Sequence, residues 1–195
     1  MNPERVLPLS VTIAVILLLV TPVALAGCSY SWSGGVHYHS GTSGNDICND
    51  GQAHDEDFFL GDGSDEAHGH EGPDIMRMWP GQDEARGGAG HDTIGLQSEG
   101  DFAYGGYGND KIYGGWGPDK LYGLEYDDEL WDEASDSATA EKDVLCGTGL
   151  GSDYLDALDG DPSDTLYYSS GDSIRFDKDQ NGTPLDGLFP NIACG

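Results

Sequence analysis

The chain has 195 residues, and its 36 acidic and 8 basic side chains give it a formal net charge of −28 at pH 7. A charge of this sign and size repels phosphate groups, which excludes nucleic acid and an anionic membrane face as natural partners. With 31 glycines among so many carboxylates, the composition favours a chain rich in turns that binds cations.

Residues 1–26 have the pattern of an export signal. Arg5 lies in a short polar start, residues 9–20 form an apolar run too short to span a bilayer, and Ala-Leu-Ala at 24–26 forms a cleavage site. Alternatively, Leu-Ala-Gly-Cys ending at Cys28 resembles a bacterial lipobox, which would anchor the protein to lipid at the cell surface. Both interpretations predict an extracellular protein. No other stretch is apolar enough for a transmembrane helix.

Residues 27–40 are rich in serine, glycine and aromatic side chains, which predicts a tether or an N-terminal cap. His37 and His39 stand two residues apart, as do His68 and His70, so each pair would present two imidazoles on one side of a strand and could bind a transition metal. No cysteine or carboxylate stands at a convincing companion spacing. We therefore interpret these histidines as exposed side chains and expect no metal on them.

A nine-residue repeat organises residues 41–175. Three intact copies, at 87–95, 105–113 and 114–122, have the form Gly-Gly-x-Gly-x-Asp-x-(Ile/Leu)-x. Aspartates keep this interval beyond the intact copies, and the residue two positions after each of them is apolar. A solvated acidic surface, as in a halophile, is the alternative source of the charge. Surface charge alone, however, would not keep the aspartates at a nine-residue interval from one another and two residues before an apolar position. The aspartates in register are Asp65, Asp74, Asp83, Asp92, Asp101, Asp110, Asp119 and Asp128.

Each unit combines a turn, a ligand and a short strand. Glycine takes positive φ at little cost, so Gly-Gly-x-Gly bends the chain sharply and leaves its carbonyl groups unscreened. The aspartate adds a hard carboxylate oxygen, the ligand type that Ca²⁺ prefers. The last three residues alternate with period two, as a short strand burying one side chain would. Two units therefore complete one coil of an all-β protein.

The intact copies resemble the RTX, or haemolysin-type, calcium-binding repeat family. The resemblance implies a parallel β-roll, or β-solenoid, of stacked two-repeat coils, with Ca²⁺ held between one loop and the loop eighteen residues further on. Pairing the register aspartates in this way predicts about six ions, which would cancel about 12 of the 28 excess negative charges. Besides the aspartates, the candidate metal-binding residues are Gly88, Gly90, Gly106, Gly108, Gly115 and Gly117.

The predicted core is thin, because one residue in nine points inward and three of the eight best-phased ones are alanine. Burying a medium aliphatic side chain stabilises by about 1.5–3 kcal/mol, against about 1–2 kcal/mol of backbone entropy for every ordered residue. We expect bound Ca²⁺ to supply the missing free energy, so that folding depends on the ion.

Two segments depart from the period. Residues 129–142 are predicted to form an inserted loop, and residues 176–195 a C-terminal cap with a candidate extra calcium loop. The opening half of an EF-hand loop is matched by Asp177, Asp179 and Asn181. Leu188 stands where the EF-hand glutamate would be, so an Asn-Gly turn in an acidic tail is the alternative.

The four cysteines are predicted to pin the two caps. A parallel solenoid rises about 4.8 Å per coil, so Cys48 and Cys146 should lie about five coils apart, beyond the disulfide reach of about 7 Å. Pairing Cys28 with Cys48 and Cys146 with Cys194 places one disulfide at each open end, where solenoids need protection. Lipidation of Cys28 would leave Cys48 without a partner, which favours cleavage before Gly27.

Aromatic residues also follow the repeat: Tyr104 should stack over Tyr122, and Tyr113 over Trp131. We interpret this pattern as stabilisation of the sheet, with a glycan-binding platform as the alternative. The sequence has no Gly-x-Ser-x-Gly elbow, no His-Glu-x-x-His helix and no Walker-type loop. It therefore predicts a non-enzymatic, secreted calcium-binding module with a structural or adhesive role, whose further partner would be an extracellular glycan or a cell-surface component. The alternative is a calcium-dependent lyase or epimerase acting on polysaccharide, or a glycan-binding module.

Overall fold

The computed structural model describes residues 27–132, 141–158, 163–176, 183–184, 187–190, 192 and 194. These residues form two β-sheets, and the chain adds a strand to each in turn. The described residues contain no helix, and hence none that could cross a membrane. The predicted signal peptide at 1–26 lies outside them.

Every strand pairing is parallel except that of the first two strands, as expected for the predicted β-roll. The nine-stranded sheet contains, in spatial order, β1 (Ser29–Ser33), β2 (Val36–Ser40), β4 (Asp55–Phe59), β6 (Ile75–Arg77), β8 (Thr93–Ser98), β10 (Lys111–Trp116), β12 (Glu129–Trp131), β14 (Tyr154–Ala157) and β16 (Ser173–Phe176). The eight-stranded sheet contains β3 (Ile47–Cys48), β5 (Glu66–Glu71), β7 (Glu84–Ala89), β9 (Phe102–Tyr107), β11 (Lys120–Glu125), β13 (Val144–Gly147), β15 (Thr165–Tyr168) and β17 (Gly187–Pro190).

Strand pairing follows the eighteen-residue coil. Ile112 pairs with Ile94 on one side and with Leu130 on the other. Leu130 in turn pairs with Leu155, twenty-five residues further on, so the extra residues between them do not shift the register of the strands. The predicted inserted loop begins later than expected, because its first three residues form β12; residues 133–140 lie outside the described part of the chain.

The core is fuller than the sequence predicted, because several units of the nine-stranded sheet turn two side chains inward rather than one. In the early coils the nine-stranded sheet fills the second position with Leu60, Met78 and Leu96, all fully buried. The eight-stranded sheet has glycine at that position and alanine at the first. Large side chains of one sheet therefore pack against small ones of the other, which is how close-packed interiors avoid voids.

Both ends of the stack carry the predicted disulfides. Cys28 is bonded to Cys48 with their Cα atoms 5.5 Å apart, and Cys146 to Cys194 with Cα atoms 6.2 Å apart. At the N-terminal end the hairpin of β1 and β2 forms a cap, since β2 continues the sheet into β4. At the other end Leu188 pairs with Leu166, so the stack extends past residue 175.

The predicted aromatic pairs are confirmed. The rings of Tyr104 and Tyr122 stack with centroids 5.0 Å apart and an interplanar angle of 9°. Those of Tyr113 and Trp131 stack at 4.6 Å and 4°. Each pair joins neighbouring strands of one sheet, where such contacts add to the stability of the pairing.

Candidate metal centre

The register aspartates form two columns, one along each edge where the chain turns from one sheet into the other. Each aspartate directly precedes a strand, and all eight are at most 3% exposed. Turns before the eight-stranded sheet carry Asp65, Asp83, Asp101 and Asp119, and turns before the nine-stranded sheet carry Asp74, Asp92, Asp110 and Asp128. The looser copies extend the columns with Asp46, Asp143, Asp153 and Asp164.

One carboxylate oxygen of each aspartate joins neighbouring coils. The backbone N–H of Asp92 donates to Oδ1 of Asp110 at 2.8 Å, and that of Asp110 donates to Oδ1 of Asp128 at 2.9 Å. The same bond recurs along both columns. Because the acceptor lies one coil further on, this ladder satisfies one buried backbone donor per turn.

The second carboxylate oxygen, Oδ2, is buried in all eight register aspartates and accepts no hydrogen bond from the described residues. In five of the eight turns it lies beside the first glycine of the turn. In the turns of Asp65, Asp83 and Asp101 that position is held by Leu60, Met78 and Leu96. A Cβ placed on Gly87 would be 2.2 Å from Oδ2 of Asp92 and 2.7 Å from the backbone oxygen of Gly105. The missing side chain thus leaves a space lined by a carboxylate oxygen of one turn and a carbonyl oxygen of the turn eighteen residues on.

The later glycines of each turn face carbonyl groups of the preceding coil. A Cβ on Gly106 would lie 2.0 Å from the oxygen of Gly88, and one on Gly117 would lie 1.9 Å from that of Glu99. Of the predicted glycines only Gly90 lacks a positive φ. The left-handed conformation is kept even where the repeat has lost its glycine, at His70, Gln97, Glu99, Leu124 and Tyr126. The left-handed conformation therefore persists in several turns whose sequence has changed.

Burial raises the pKa values of these carboxyl groups well above their usual range. It raises the pKa of Asp101 to about 9 and the pKa values of Asp74 and Asp128 to about 8, with neighbouring aspartates adding to each shift. A buried carboxylate at neutral pH needs either a proton or a nearby cation. The donors along the columns are carboxylate and carbonyl oxygens, the hard ligands of Ca²⁺, so the residues present fit that ion.

The columns also contain residues that the sequence analysis missed. Glu56 holds the ladder position before Asp74, to whose Oδ1 its backbone N–H donates at 2.8 Å, whereas the neighbouring Asp57 accepts a hydrogen bond from Arg77. Counting two residues back from the inward-facing Phe58 would have identified Glu56. The carboxylates of Asp132, Asp143 and Asp164 have ligand atoms within 4.8 Å of one another. Asp177, Asp179 and Asn181, the candidate extra loop, lie outside the described residues.

Comparison with known protein families agrees with this geometry. Four copies of the RTX calcium-binding nonapeptide repeat match within residues 59–94, 98–130 and 113–136. No curated protein and no solved structure matches the chain.

Proposed function

We propose that this chain, which carries RTX calcium-binding nonapeptide repeats over residues 59–136, is an exported protein whose β-roll folds when Ca²⁺ occupies both columns. Repeats of this family bind calcium in general. The supporting observation is the set of eight buried Oδ2 atoms that no described donor satisfies. Five of them, in Asp74, Asp92, Asp110, Asp119 and Asp128, stand beside the first glycine of the turn, close to backbone oxygens of a neighbouring coil.

The columns suggest the number of ions. Asp65 pairs with Asp83 across one coil, and the same relation holds for each register aspartate up to Asp110 and Asp128. These pairs define about six sites of oxygen ligands. Each ion would lie between two carboxylates, and sharing an aspartate between consecutive sites would couple the binding of neighbouring ions.

The setting that we propose is extracellular. RTX repeat proteins are typically secreted, and residues 1–26 have the pattern of a signal peptide. Cleavage before Gly27 would leave Cys28 free for its disulfide with Cys48, and lipidation of Cys28 is the competing outcome. Repeats of this kind are generally structural or binding modules rather than catalytic ones, which favours a role in an extracellular matrix or in adhesion.

A second candidate function is glycan binding. Tyr107 and Tyr126 are 63% and 56% exposed and line one surface groove together with His91. Exposed aromatic rings are suited to stacking on sugar faces. A glycan array probes this function, and an assay for released uronic acid probes the alternative of a polysaccharide lyase. A retained glycan would support the second function, and released product would overturn the non-enzymatic assignment.

Circular dichroism tests the proposed function. In excess EGTA at pH 7.5 the β-sheet signal should be lost, and millimolar Ca²⁺, the range of extracellular calcium modules, should restore it. Mg²⁺ at the same concentration should restore it poorly, because it demands a smaller octahedral site. A β-sheet signal that chelation leaves intact would refute calcium-dependent folding.

A further inference from the structure

The N-terminal cap brings two imidazoles and two carboxylates to one point. His37 and His39 come from β2, Asp50 from the loop after β3, and Glu56 from β4. One ligand atom from each lies within 4.8 Å of all the others. Oδ2 of Asp50 is 3.1 Å from Nδ1 of His37 and 4.0 Å from Nε2 of His39, and Oε1 of Glu56 is 3.4 Å from the same Nε2.

This cluster is buried and only partly satisfied. The side chains of His39 and Glu56 are fully buried and that of Asp50 is 5% exposed. Neither carboxylate oxygen of Glu56 has a hydrogen-bond partner within the described part of the chain, and neither has Nε2 of His39. None of the ion pairs among described residues brings a lysine or arginine to Asp50 or Glu56. Two carboxylates therefore meet in the interior without a cationic side chain, an arrangement that is costly unless a proton or a cation joins them. Burial and the charge of Asp50 raise the pKa of Glu56 to about 10, so without a cation Glu56 keeps its proton.

Neighbouring contacts hold the ligands in place. The imidazole of His39 stacks on the ring of Phe58, with centroids 4.3 Å apart, and its Nδ1 lies 4.0 Å from Sγ of Cys28. Because that sulfur is in a disulfide, it offers no thiolate, and the ligand set is two nitrogens and two oxygens. The backbone N–H of Gln52 donates to Oδ1 of Asp50 at 2.8 Å and so leaves Oδ2 for the cluster.

The other histidine pair with the same spacing provides a contrast. His68 and His70 also stand two apart on one strand, β5. Nη1 of Arg86 lies 3.1 Å from Nε2 of His68, which places a positive charge where a metal ion would sit. Nε2 of His70 is 2.8 Å from Oδ1 of Asn49. The sequence analysis interpreted all four histidines as exposed; His68 and His70 are half-buried with polar partners, and His39 is fully buried.

We propose that His37, His39, Asp50 and Glu56 bind one divalent transition-metal ion of the zinc class, separate from the calcium columns. Imidazole nitrogen suits Zn²⁺ and its neighbours in the series, whereas Ca²⁺ takes oxygen ligands. Two carboxylates balance the charge of one divalent ion. The ion joins β2 to β4 and to the loop after β3, so it clamps the hairpin that covers the open end of the solenoid.

Cobalt binding tests the site, because the visible spectrum of Co²⁺ reports its coordination by nitrogen and oxygen. The mature chain without a histidine tag, folded in millimolar Ca²⁺, should bind one Co²⁺ that Zn²⁺ displaces. His37→Ala and Asp50→Asn should each weaken this binding at least about tenfold, since loss of even an outer-shell partner costs about 10–100-fold in metal affinity. The matched control, His68→Ala with His70→Ala, should bind Co²⁺ like the wild type.

Two results would overturn the proposal: a calcium-folded wild type that binds no Co²⁺, or binding that the His68 and His70 control loses as fully as the cluster variants. Circular dichroism in Ca²⁺ verifies folding of each variant. If His37→Ala does not fold, Asp50→Asn decides, because its amide keeps the acceptor for Gln52. Failure of the wild type to fold with Ca²⁺ would refute the calcium proposal instead, so the two failures are distinguishable.

Discussion

Substitutions at Asp110 can separate the two roles of a register aspartate, which are hydrogen bonding between coils and ligation of calcium. Its Oδ1 accepts the backbone N–H of Asp92, while its Oδ2 is buried without a described donor. Asp110→Asn keeps an acceptor for the ladder bond and replaces the anionic ligand by a neutral amide. Asp110→Ala removes both. The asparagine variant should therefore report metal ligation alone, and the alanine variant ligation together with the ladder.

The expected shift of the calcium midpoint depends on how many ions bind together on folding. Breaking a buried ion pair costs about 3–5 kcal/mol. If about six ions bind together on folding, that cost is spread over them, and the calcium midpoint should rise about 2–4-fold for Asp110→Asn. The alanine variant also leaves a buried backbone donor unsatisfied, which costs about 1–3 kcal/mol more and should raise its midpoint by about a further 1.3–2.3-fold.

The assay is the calcium midpoint of the β-sheet circular dichroism signal for wild type and variants. Asp62→Asn is the matched control, because it makes the same change of charge at an exposed aspartate of a turn. Its midpoint should stay near that of the wild type. Equal shifts for Asp110→Asn and Asp62→Asn would show that the register aspartates are not the ligands.

Two further predictions concern the pH dependence of folding without calcium and the effect of replacing turn glycines by alanine. Burial raises the pKa values of Asp74, Asp119 and Asp128 to about 8 from 3.8, so between these values the folded state binds more protons than the unfolded state and stability falls as pH rises. Calcium-stripped protein should hence gain β-sheet signal as pH is lowered from 8 to 5.5; a signal that is flat or falls would contradict this. Gly108→Ala should block folding or sharply raise the calcium midpoint, because its Cβ would lie 1.5 Å from the oxygen of Gly90 at a φ of 130°. Gly34→Ala in the hairpin meets no atom within 4 Å and should cost only about 1–2 kcal/mol in denaturant unfolding; equal losses for the two variants would refute the steric argument.

Much of the fold could be predicted because a nine-residue period determines which residues meet. The stacking of Tyr104 on Tyr122 follows from counting eighteen residues, and the disulfide pairs follow from the length of the stack. The second inward position could not be predicted, because the intact copies hold glycine there. Leu60, Met78 and Leu96 occupy it because glycine and alanine in the opposite sheet leave space for large side chains.

Two features at the N-terminal end of the stack escaped the sequence analysis. Glu56 lies nine residues before Asp65 but is a glutamate, so a search for aspartates alone misses its ladder position before Asp74. The cluster around His39 joins a strand of the hairpin, a loop and the first full coil. Parallel pairing of β2 with β4 places His37 opposite Glu56, and the loop after β3 adds Asp50. The nonapeptide period does not extend to this hairpin, so it could not predict the contact.

The most direct test of the central claim measures folding and ion uptake in one titration. Calcium is added to the chelated protein at pH 7.5 while the β-sheet signal and the bound calcium per chain are followed together. We predict that about six ions are taken up in step with the gain of structure, with one midpoint for both. A β-sheet signal already complete before calcium binds, or ions that bind without any change in it, would contradict the account.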